Sequence, residues 1–121
     1  MAESAVHITI DGQRVQARAD ETVLDVARRV GVRIPTLCDI DGLEPLVTCY
    51  LCLVRIEGIG GLQPACDSRV ADGMVVTATA DDIAAARRVA LELLLSDHVG
   101  ECEAPCEMAC PTGWHITDFM M

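Results

Sequence analysis

Seven cysteines are the residues of this chain whose type and spacing could do chemistry, and they form two groups. The first group has the spacing C-x10-C-x2-C-x13-C and consists of Cys38, Cys49, Cys52 and Cys66. Two cysteines separated by two residues can both bind one metal centre without straining the backbone. Four thiolates suit Zn²⁺ or an iron–sulfur cluster, because both prefer sulfur ligands. The pattern therefore predicts a four-cysteine metal site.

The spacing within the first group favours an iron–sulfur cluster over zinc. Structural zinc sites usually join two close cysteine pairs, whereas this group has one close pair and two isolated cysteines. That uneven arrangement is closer to the [2Fe–2S] ferredoxins, although the first gap is longer than in the plant type. Small residues near the ligands, such as Thr48 and Ala65, would let backbone N–H groups approach the sulfurs. A zinc-stabilised interaction module without a redox role is the alternative.

The second group of cysteines has the spacing C-x3-C-x3-C and is followed by a proline. It consists of Cys102, Cys106 and Cys110, which is one ligand short of a four-cysteine site. His98 stands four residues before Cys102 and is a candidate fourth ligand. Cysteines this closely spaced predict part of a [4Fe–4S] site rather than spare thiols. The remaining ligands would come from further polypeptide or from a partner.

The elements that must position the first group are short strands and a helix. The turn sequence Asp11-Gly12 lies between two alternating segments and predicts a hairpin. Thr22 opens a variant of the capping box, and Gly31 ends the helix that follows. No periodicity is visible from Cys38 to Cys52, so this stretch is predicted as a loop. The strand segments are Val6–Ile10, Gln13–Ala17, Leu53–Ile56, Gln63–Cys66 and Met74–Ala78.

The clearest helix pattern covers about residues 83 to 96, and Asp81 or Asp82 is its predicted cap. Arg87 and Arg88 lie off its apolar stripe and are expected to face solvent. The stripe consists of Ile83, Ala86, Ala90, Leu93 and Leu94. The composition changes after this helix, so a boundary is predicted near residue 97. The order of strands and helices indicates a small α+β fold with one helix packed across a sheet.

Composition and charge exclude several classes of function. The chain has 121 residues, of which 51% are hydrophobic, so it can form a core. Its formal net charge of −10 argues against binding to nucleic acid or to an anionic membrane surface and suits a basic partner. The apolar run Val89–Leu95 is interrupted by Glu92 and is too short for a membrane span, which needs about 20 residues. The first residues show no signal peptide, and an odd number of cysteines fits a reducing, cytoplasmic setting.

A family resemblance rests on five segments: His7–Gly12, Thr22–Ala27, Ile34–Cys38, Cys49–Val54 and Ala65–Val76. They resemble the N-terminal [2Fe–2S] domain of the large iron–sulfur subunit of respiratory complex I. The same module opens iron-only hydrogenases and the catalytic subunits of NAD-linked formate dehydrogenases. The resemblance covers about residues 5–97. It implies a β-grasp ferredoxin-like fold and a [2Fe–2S] cluster bound by all four cysteines of the first group.

One departure from that family follows the first ligand. An aromatic-His-Pro sequence is often found there, and this chain has Asp39-Ile40-Asp41 instead. Two acidic residues near the cluster are expected to lower its reduction potential, because they disfavour a further negative charge.

Two family patterns compete for the residues after the second helix. The segment from His98 to Cys102 matches the His-x3-Cys start of a [4Fe–4S] site in the complex I subunit, but the later cysteine spacing there differs. The segment from Cys102 to Ile116 resembles the entry to the [4Fe–4S] domain of the glutamate synthase small subunit, and this second pattern is favoured. Either pattern divides the chain into a ferredoxin-like domain at 1–97 and a Cys-rich segment at 98–121.

The combined expectation is an electron-transfer module of a larger oxidoreductase, rather than a catalyst by itself. The partners are expected to be larger redox subunits that carry a flavin, NAD(P) or a metal active site, since no binding motif for these groups is visible here. No set of residues for hydrolysis is visible either. The alternatives are the zinc-stabilised module and a free-standing soluble ferredoxin.

Overall fold

The computed structural model describes residues 5–96 and 105–114. Within these ranges the chain forms a five-stranded sheet and three helices. The strands are β1 (Ala5–Ile10), β2 (Gln13–Arg18), β3 (Leu53–Ile56), β4 (Leu62–Pro64) and β5 (Val75–Thr77). The helices are α1 (Val23–Val30), α2 (Asp81–Ser96) and α3 (Pro105–Met108).

The sheet has the strand order β2-β1-β5-β3-β4. β1 and β2 form the predicted hairpin, in register from Ala5 opposite Arg18 to Ile10 opposite Gln13. β5 pairs with β1 in parallel, and β3 is antiparallel to both β5 and β4. A hairpin whose first strand pairs in parallel with the last strand, with a helix between them in the chain, is the β-grasp arrangement. The α+β class and the ferredoxin-like fold predicted above are confirmed.

Both ends of α1 are defined by the residues that the sequence indicated. The Thr22 hydroxyl accepts a hydrogen bond from the Asp25 N–H at 3.1 Å, and the Asp25 carboxylate accepts one from the Thr22 N–H at 3.0 Å. This is a complete capping box. Gly31, with φ 81°, adopts the left-handed conformation that ends the helix. The helix buries four residues against the sheet: Val23, Leu24, Val26 and Ala27.

The core consists mainly of aliphatic side chains from the sheet and α1, as expected for a chain with only 2% aromatic residues, and it also includes Cys52 and Cys66. β5 is shorter than the sequence predicted, because the Ala78 N–H donates to the Asp11 carboxylate at 2.7 Å instead of to a neighbouring strand. β4 ends at Pro64, before Ala65 and Cys66. Within the described ranges, no helix is both long enough and apolar enough to cross a membrane.

The second helix begins two residues earlier than the sequence predicted and ends at Ser96, as predicted. α2 begins at Asp81, so Asp81 and Asp82 do not cap it but lie in its first turn, where a negative charge is favoured by the helix dipole. Of its apolar stripe only Ile83 is buried, and the Leu93 side chain is 65% exposed. The reason is that α2 packs against β3 through its first turns, while its later turns carry exposed residues.

Candidate metal centre

The four cysteines of the first group come together at one end of the sheet. Cys38, Cys49 and Cys52 lie on the irregular segment between α1 and β3, as the sequence predicted, and Cys66 follows β4. β3 and β4 are antiparallel, with Leu53 opposite Pro64, so the start of β3 and the end of β4 meet. This register places the Cys52 and Cys66 sulfurs 3.5 Å apart in the protein interior.

The loop that carries three of these cysteines has an unusual backbone. Val47 and Tyr50 have φ values of 51° and 53°, in the left-handed region that residues with a Cβ rarely adopt. The strain is greatest for Val47, because its side chain is β-branched. These two residues lie on either side of Cys49, which is 5% exposed. Strained backbone next to a candidate ligand is typical of functional sites.

Backbone N–H groups of this loop point at the candidate ligands. The Thr48 N–H donates to the Cys38 sulfur at 3.4 Å, and the Leu51 N–H donates to the Cys49 sulfur at 3.5 Å. The contact at Thr48 is the close approach that its small side chain predicted. Such donors stabilise negative charge on sulfur, so they favour the thiolate form that binds a metal.

The thiols at the two ends of the site differ in how readily they lose a proton. Hydrogen bonds from the backbone N–H groups of Cys49 and Thr48 lower the pKa of Cys38 to about 7, although burial acts against them. Burial raises the pKa of Cys66 to about 12, and its hydrogen bond with Cys52 adds to the increase. Cys38 therefore forms a thiolate near neutral pH, whereas Cys66 needs a bound cation to lose its proton.

The acidic sequence after Cys38 is paired with a cation from α1. Arg28 lies 2.7 Å from the carboxylate of Asp39 and 4.0 Å from that of Asp41. The Asp39 side chain is only 14% exposed, so solvent screens its negative charge little and that charge acts on the nearby thiols. The pairing offsets part of the negative charge that the sequence places beside the first ligand. The contact joins two separate elements of the chain, so no local sequence pattern indicates it.

Arg87 also departs from the sequence expectation. Its side chain is half-buried, and its Nε and Nη2 groups donate to the Leu53 carbonyl at 3.0 and 2.6 Å. Nη2 also donates to the Ala78 carbonyl at 3.0 Å. Arg88 is exposed and pairs with Glu92 at 2.8 Å, as expected for a solvated residue. The prediction of a solvent-facing side chain is therefore wrong for Arg87 and confirmed for Arg88.

A signal for the orientation of Arg87 was present in the sequence. Arg87 stands four residues after Ile83, the buried residue of α2, and residues with that spacing share one face of a helix. The other members of the apolar stripe drew attention to the neighbouring face instead. That stripe borders an open hollow of about 600 Å³ beside Cys49, with Tyr50 on the opposite wall.

The second group of cysteines is described only in part. His98 and Cys102 lie outside the described residues. Cys106 is exposed on α3, and Cys110 is half-buried just after that helix. The Cys110 sulfur lies 3.1 Å from the Thr112 hydroxyl, and this contact, with backbone N–H groups that follow, lowers the pKa of Cys110. Thr112 was not singled out in the sequence, although a hydroxyl two residues after a cysteine is placed to contact it.

The cysteines of the described ranges, six in number, are all free thiols. In residues 5–96 and 105–114, no three cysteine, histidine or acidic side chains are arranged to hold a single metal ion.

Comparison with known proteins adds independent information on this site. Residues 3–81 match the family model described as "2Fe-2S iron-sulfur cluster binding domain". The chain is 44% identical over 97 residues to one of the NADH-quinone oxidoreductase subunits of Rhizobium meliloti strain 1021, covering 80% of this chain and 11% of that protein. It is 41% identical over 105 residues to NADP-reducing hydrogenase subunit HndD of Solidesulfovibrio fructosivorans, covering 82% of this chain and 18% of that protein.

A solved structure shows the same fold. The crystal structure of an NAD⁺-reducing [NiFe]-hydrogenase in the H₂-reduced state superposes with a TM-score of 0.71 at 26% identity, covering 80% of this chain and 42% of that chain. The chain thus spans less than a fifth of the length of the two relatives named above and less than half of this structural neighbour.

Proposed function

Because this chain belongs to the family of 2Fe-2S iron–sulfur cluster binding domains, we propose that it is an electron-transfer module whose [2Fe–2S] cluster is bound by Cys38, Cys49, Cys52 and Cys66. When bound, such a cluster accepts and releases one electron at a time. The observation that carries the proposal is the approach of the Cys52 and Cys66 sulfurs to 3.5 Å where β3 begins and β4 ends, next to the loop that carries Cys38 and Cys49.

The donor set supports an iron–sulfur cluster. Two thiolates on one tetrahedral metal with bonds of about 2.3 Å lie about 3.8 Å apart, and the Cys52 and Cys66 sulfurs are 3.5 Å apart. Cys52 and Cys66 would therefore bind one iron, and Cys38 and Cys49 would bind the other. The hydrogen bonds from Thr48 and Leu51 N–H groups fall on the second pair, where they stabilise thiolate charge.

The alternatives from the sequence have less support. The family match over residues 3–81 includes all four cysteines of the first group, which favours an iron–sulfur cluster over zinc. The relatives are named as subunits of oxidoreductases and hydrogenases, which favours a component of a larger assembly over a free-standing ferredoxin.

The tail is proposed to contribute to a [4Fe–4S] site through Cys102, Cys106 and Cys110. Support comes from Cys110, because the Thr112 contact and the neighbouring N–H groups favour its thiolate. The fourth ligand is proposed to be His98 or a residue of a partner. The boundary near residue 97 fits the end of α2 at Ser96.

The partner is proposed to be a larger redox subunit that carries a flavin, NAD(P) or a metal active site. This rests on the names of the relatives, which include NADH-quinone, NADP-reducing and NAD-reducing enzymes. In that role the chain passes electrons and leaves the terminal reaction to its partner. We place it in the cytoplasm, where thiols stay reduced until they bind metal.

Iron and acid-labile sulfide analysis of anaerobically purified protein, with EPR before and after dithionite, tests these proposals. About two irons per chain and a rhombic signal on reduction support the [2Fe–2S] centre, with the tail empty. About six irons with a second, faster-relaxing signal support a [4Fe–4S] site closed by the tail itself. Zinc without sulfide would contradict the electron-transfer function.

A further inference from the structure

Arg87 takes the place of a paired strand beside the start of β3, beyond the end of β5. β3 and β5 are in register through Arg55 opposite Thr77, so Leu53 would face Thr79, where β5 has already ended. The Leu53 carbonyl does not point toward β4. Successive carbonyls of a strand point to opposite sides, and it is the Cys52 carbonyl that accepts from the Ala65 N–H at 3.0 Å. Arg87 supplies the missing donors through two of its nitrogen atoms.

The same hydrogen bonds hold a positive charge close to a proposed ligand. Leu53 directly follows Cys52, so the guanidinium is fixed against the backbone that carries this ligand. Burial lowers the pKa of Arg87, whereas the charges of Cys52 and Asp11 raise it. The guanidinium thus lies within electrostatic reach of the Cys52 sulfur, in a setting where solvent screens charge less than at the surface.

The charge of Arg87 is only partly neutralised. Its hydrogen bonds go to the carbonyl oxygens of Leu53 and Ala78, which accept protons but carry no net charge. The carboxylate that acts on it is that of Asp11, which is itself hydrogen-bonded to the Ala78 and Thr79 N–H groups. Much of the positive charge is therefore left to act on Cys52.

We propose that Arg87 is a positioning residue of the [2Fe–2S] site that raises its reduction potential. The inference rests on the proposed function. One-electron reduction adds one negative charge to the site, and a fixed cation nearby stabilises that state. Since Arg87 is already held by two carbonyl groups before an electron arrives, the protein does not have to reorganise for the cation to act.

Substitutions at two adjacent positions of α2 test the proposal. Arg87→Gln removes the charge but keeps an N–H donor, and Arg87→Lys keeps the charge. Arg88→Gln is the matched control, because it removes the same charge from an exposed position of the same helix. The readout is the midpoint potential of the full chain in an EPR-monitored redox titration.

Arg87→Gln is expected to decrease the reduced-to-oxidised ratio at a fixed solution potential about tenfold, which is about 59 mV for a one-electron couple. Arg87→Lys should retain most of the wild-type potential, and Arg88→Gln should match the wild type. Equal potentials for the wild type and Arg87→Gln would overturn the proposal, as would an equally large shift in Arg88→Gln. A wild-type protein without the rhombic signal would instead overturn the proposed function.

Circular dichroism and iron content separate loss of the fold from loss of the cluster. If Arg87→Gln and Arg87→Met both unfold, Arg87 serves only to complete the hydrogen bonding at the start of β3 and the proposal is wrong. If both stay folded but lose iron, while Arg87→Lys keeps it, the cation is needed for retention of the cluster and not for its potential, and the proposal is wrong.

Discussion

Arg28 of α1 lies 2.7 Å from Asp39, the residue that directly follows the proposed ligand Cys38. The helix that covers the sheet is thus linked by an ion pair to the loop that carries three of the four cysteines. This pair reduces the effect that the acidic sequence after Cys38 is expected to have on the reduction potential. An acid paired with a cation lowers the potential less than an acid alone.

Arg28→Gln is predicted to lower the reduction potential of the [2Fe–2S] centre, because it leaves the charge of Asp39 unpaired beside Cys38. We expect the reduced-to-oxidised ratio to fall about threefold at fixed potential, or about 30 mV. The free energy of unfolding should change by less than about 1 kcal/mol, since Arg28 is 44% exposed and such pairs contribute little to stability. Redox titration and denaturant unfolding measure the two effects.

Arg29→Gln provides the control for this prediction. Arg29 is the next residue of α1, but it pairs with Glu21 at 3.0 Å and bonds to the Gln16 carbonyl, on the side of β2. A potential that falls equally in both variants would mean that the loss of any α1 cation has the same effect, and the specific role of the Arg28–Asp39 pair would be rejected.

Cys66→Ser is predicted to abolish the rhombic EPR signal, because it removes one of the two sulfurs that lie 3.5 Å apart at the junction of β3 and β4. Cys106→Ser, on the exposed face of α3, should leave that signal intact. EPR of the reduced proteins, with iron content, checks both. A rhombic signal of full intensity in Cys66→Ser would contradict the assignment of Cys66 as a ligand.

In the metal-free protein, Cys38 is predicted to react with iodoacetamide faster than Cys66. The pKa of this thiol is about 7, so its thiolate fraction increases as pH rises through neutrality, whereas Cys66, with a pKa of about 12, stays protonated over that range. Peptide mass spectrometry after brief labelling at about pH 6, 7 and 8, a range that brackets the pKa of Cys38, measures the rate at each site. Faster labelling of Cys66 than of Cys38 at neutral pH would show that the N–H groups around Cys38 do not stabilise its thiolate.

Substitutions of Tyr50 test whether the loop around Cys49 keeps its left-handed backbone in solution. Its φ of 53° is tolerated well by asparagine and poorly by β-branched residues, and its side chain is 52% exposed, so little packing is lost on substitution. Tyr50→Ile should therefore be less stable than Tyr50→Asn by about 1 kcal/mol. Thermal unfolding of the two anaerobic holo-proteins gives the comparison. Equal midpoints would mean that the loop does not hold this conformation in solution.

Features set by neighbouring residues could be predicted from the sequence. The hairpin turn at Asp11-Gly12 and the two ends of α1 depend on contacts within a few residues, and the structure has them as expected. The first cysteine group was visible for a similar reason, since its residue types and spacing already specify sulfur ligands for one site.

Features that depend on the assembled sheet were missed. Arg87 turns inward because β5 ends before it can pair with Leu53, and no local pattern records where a distant strand ends. Val47 and Tyr50 adopt a left-handed backbone that their own side chains disfavour, so residue type pointed away from the true conformation. In both cases tertiary structure overrides a local preference.

The position of Cys66 after β4 has a consequence for biosynthesis. Three of the proposed ligands precede β3 and leave the ribosome together, but the fourth reaches them only when β3 and β4 have paired. A nascent chain that has not closed this hairpin offers an incomplete set of thiols, so it cannot retain a cluster delivered early. Under the proposed assignment, retention of the metal centre is therefore coupled to the pairing of β3 with β4.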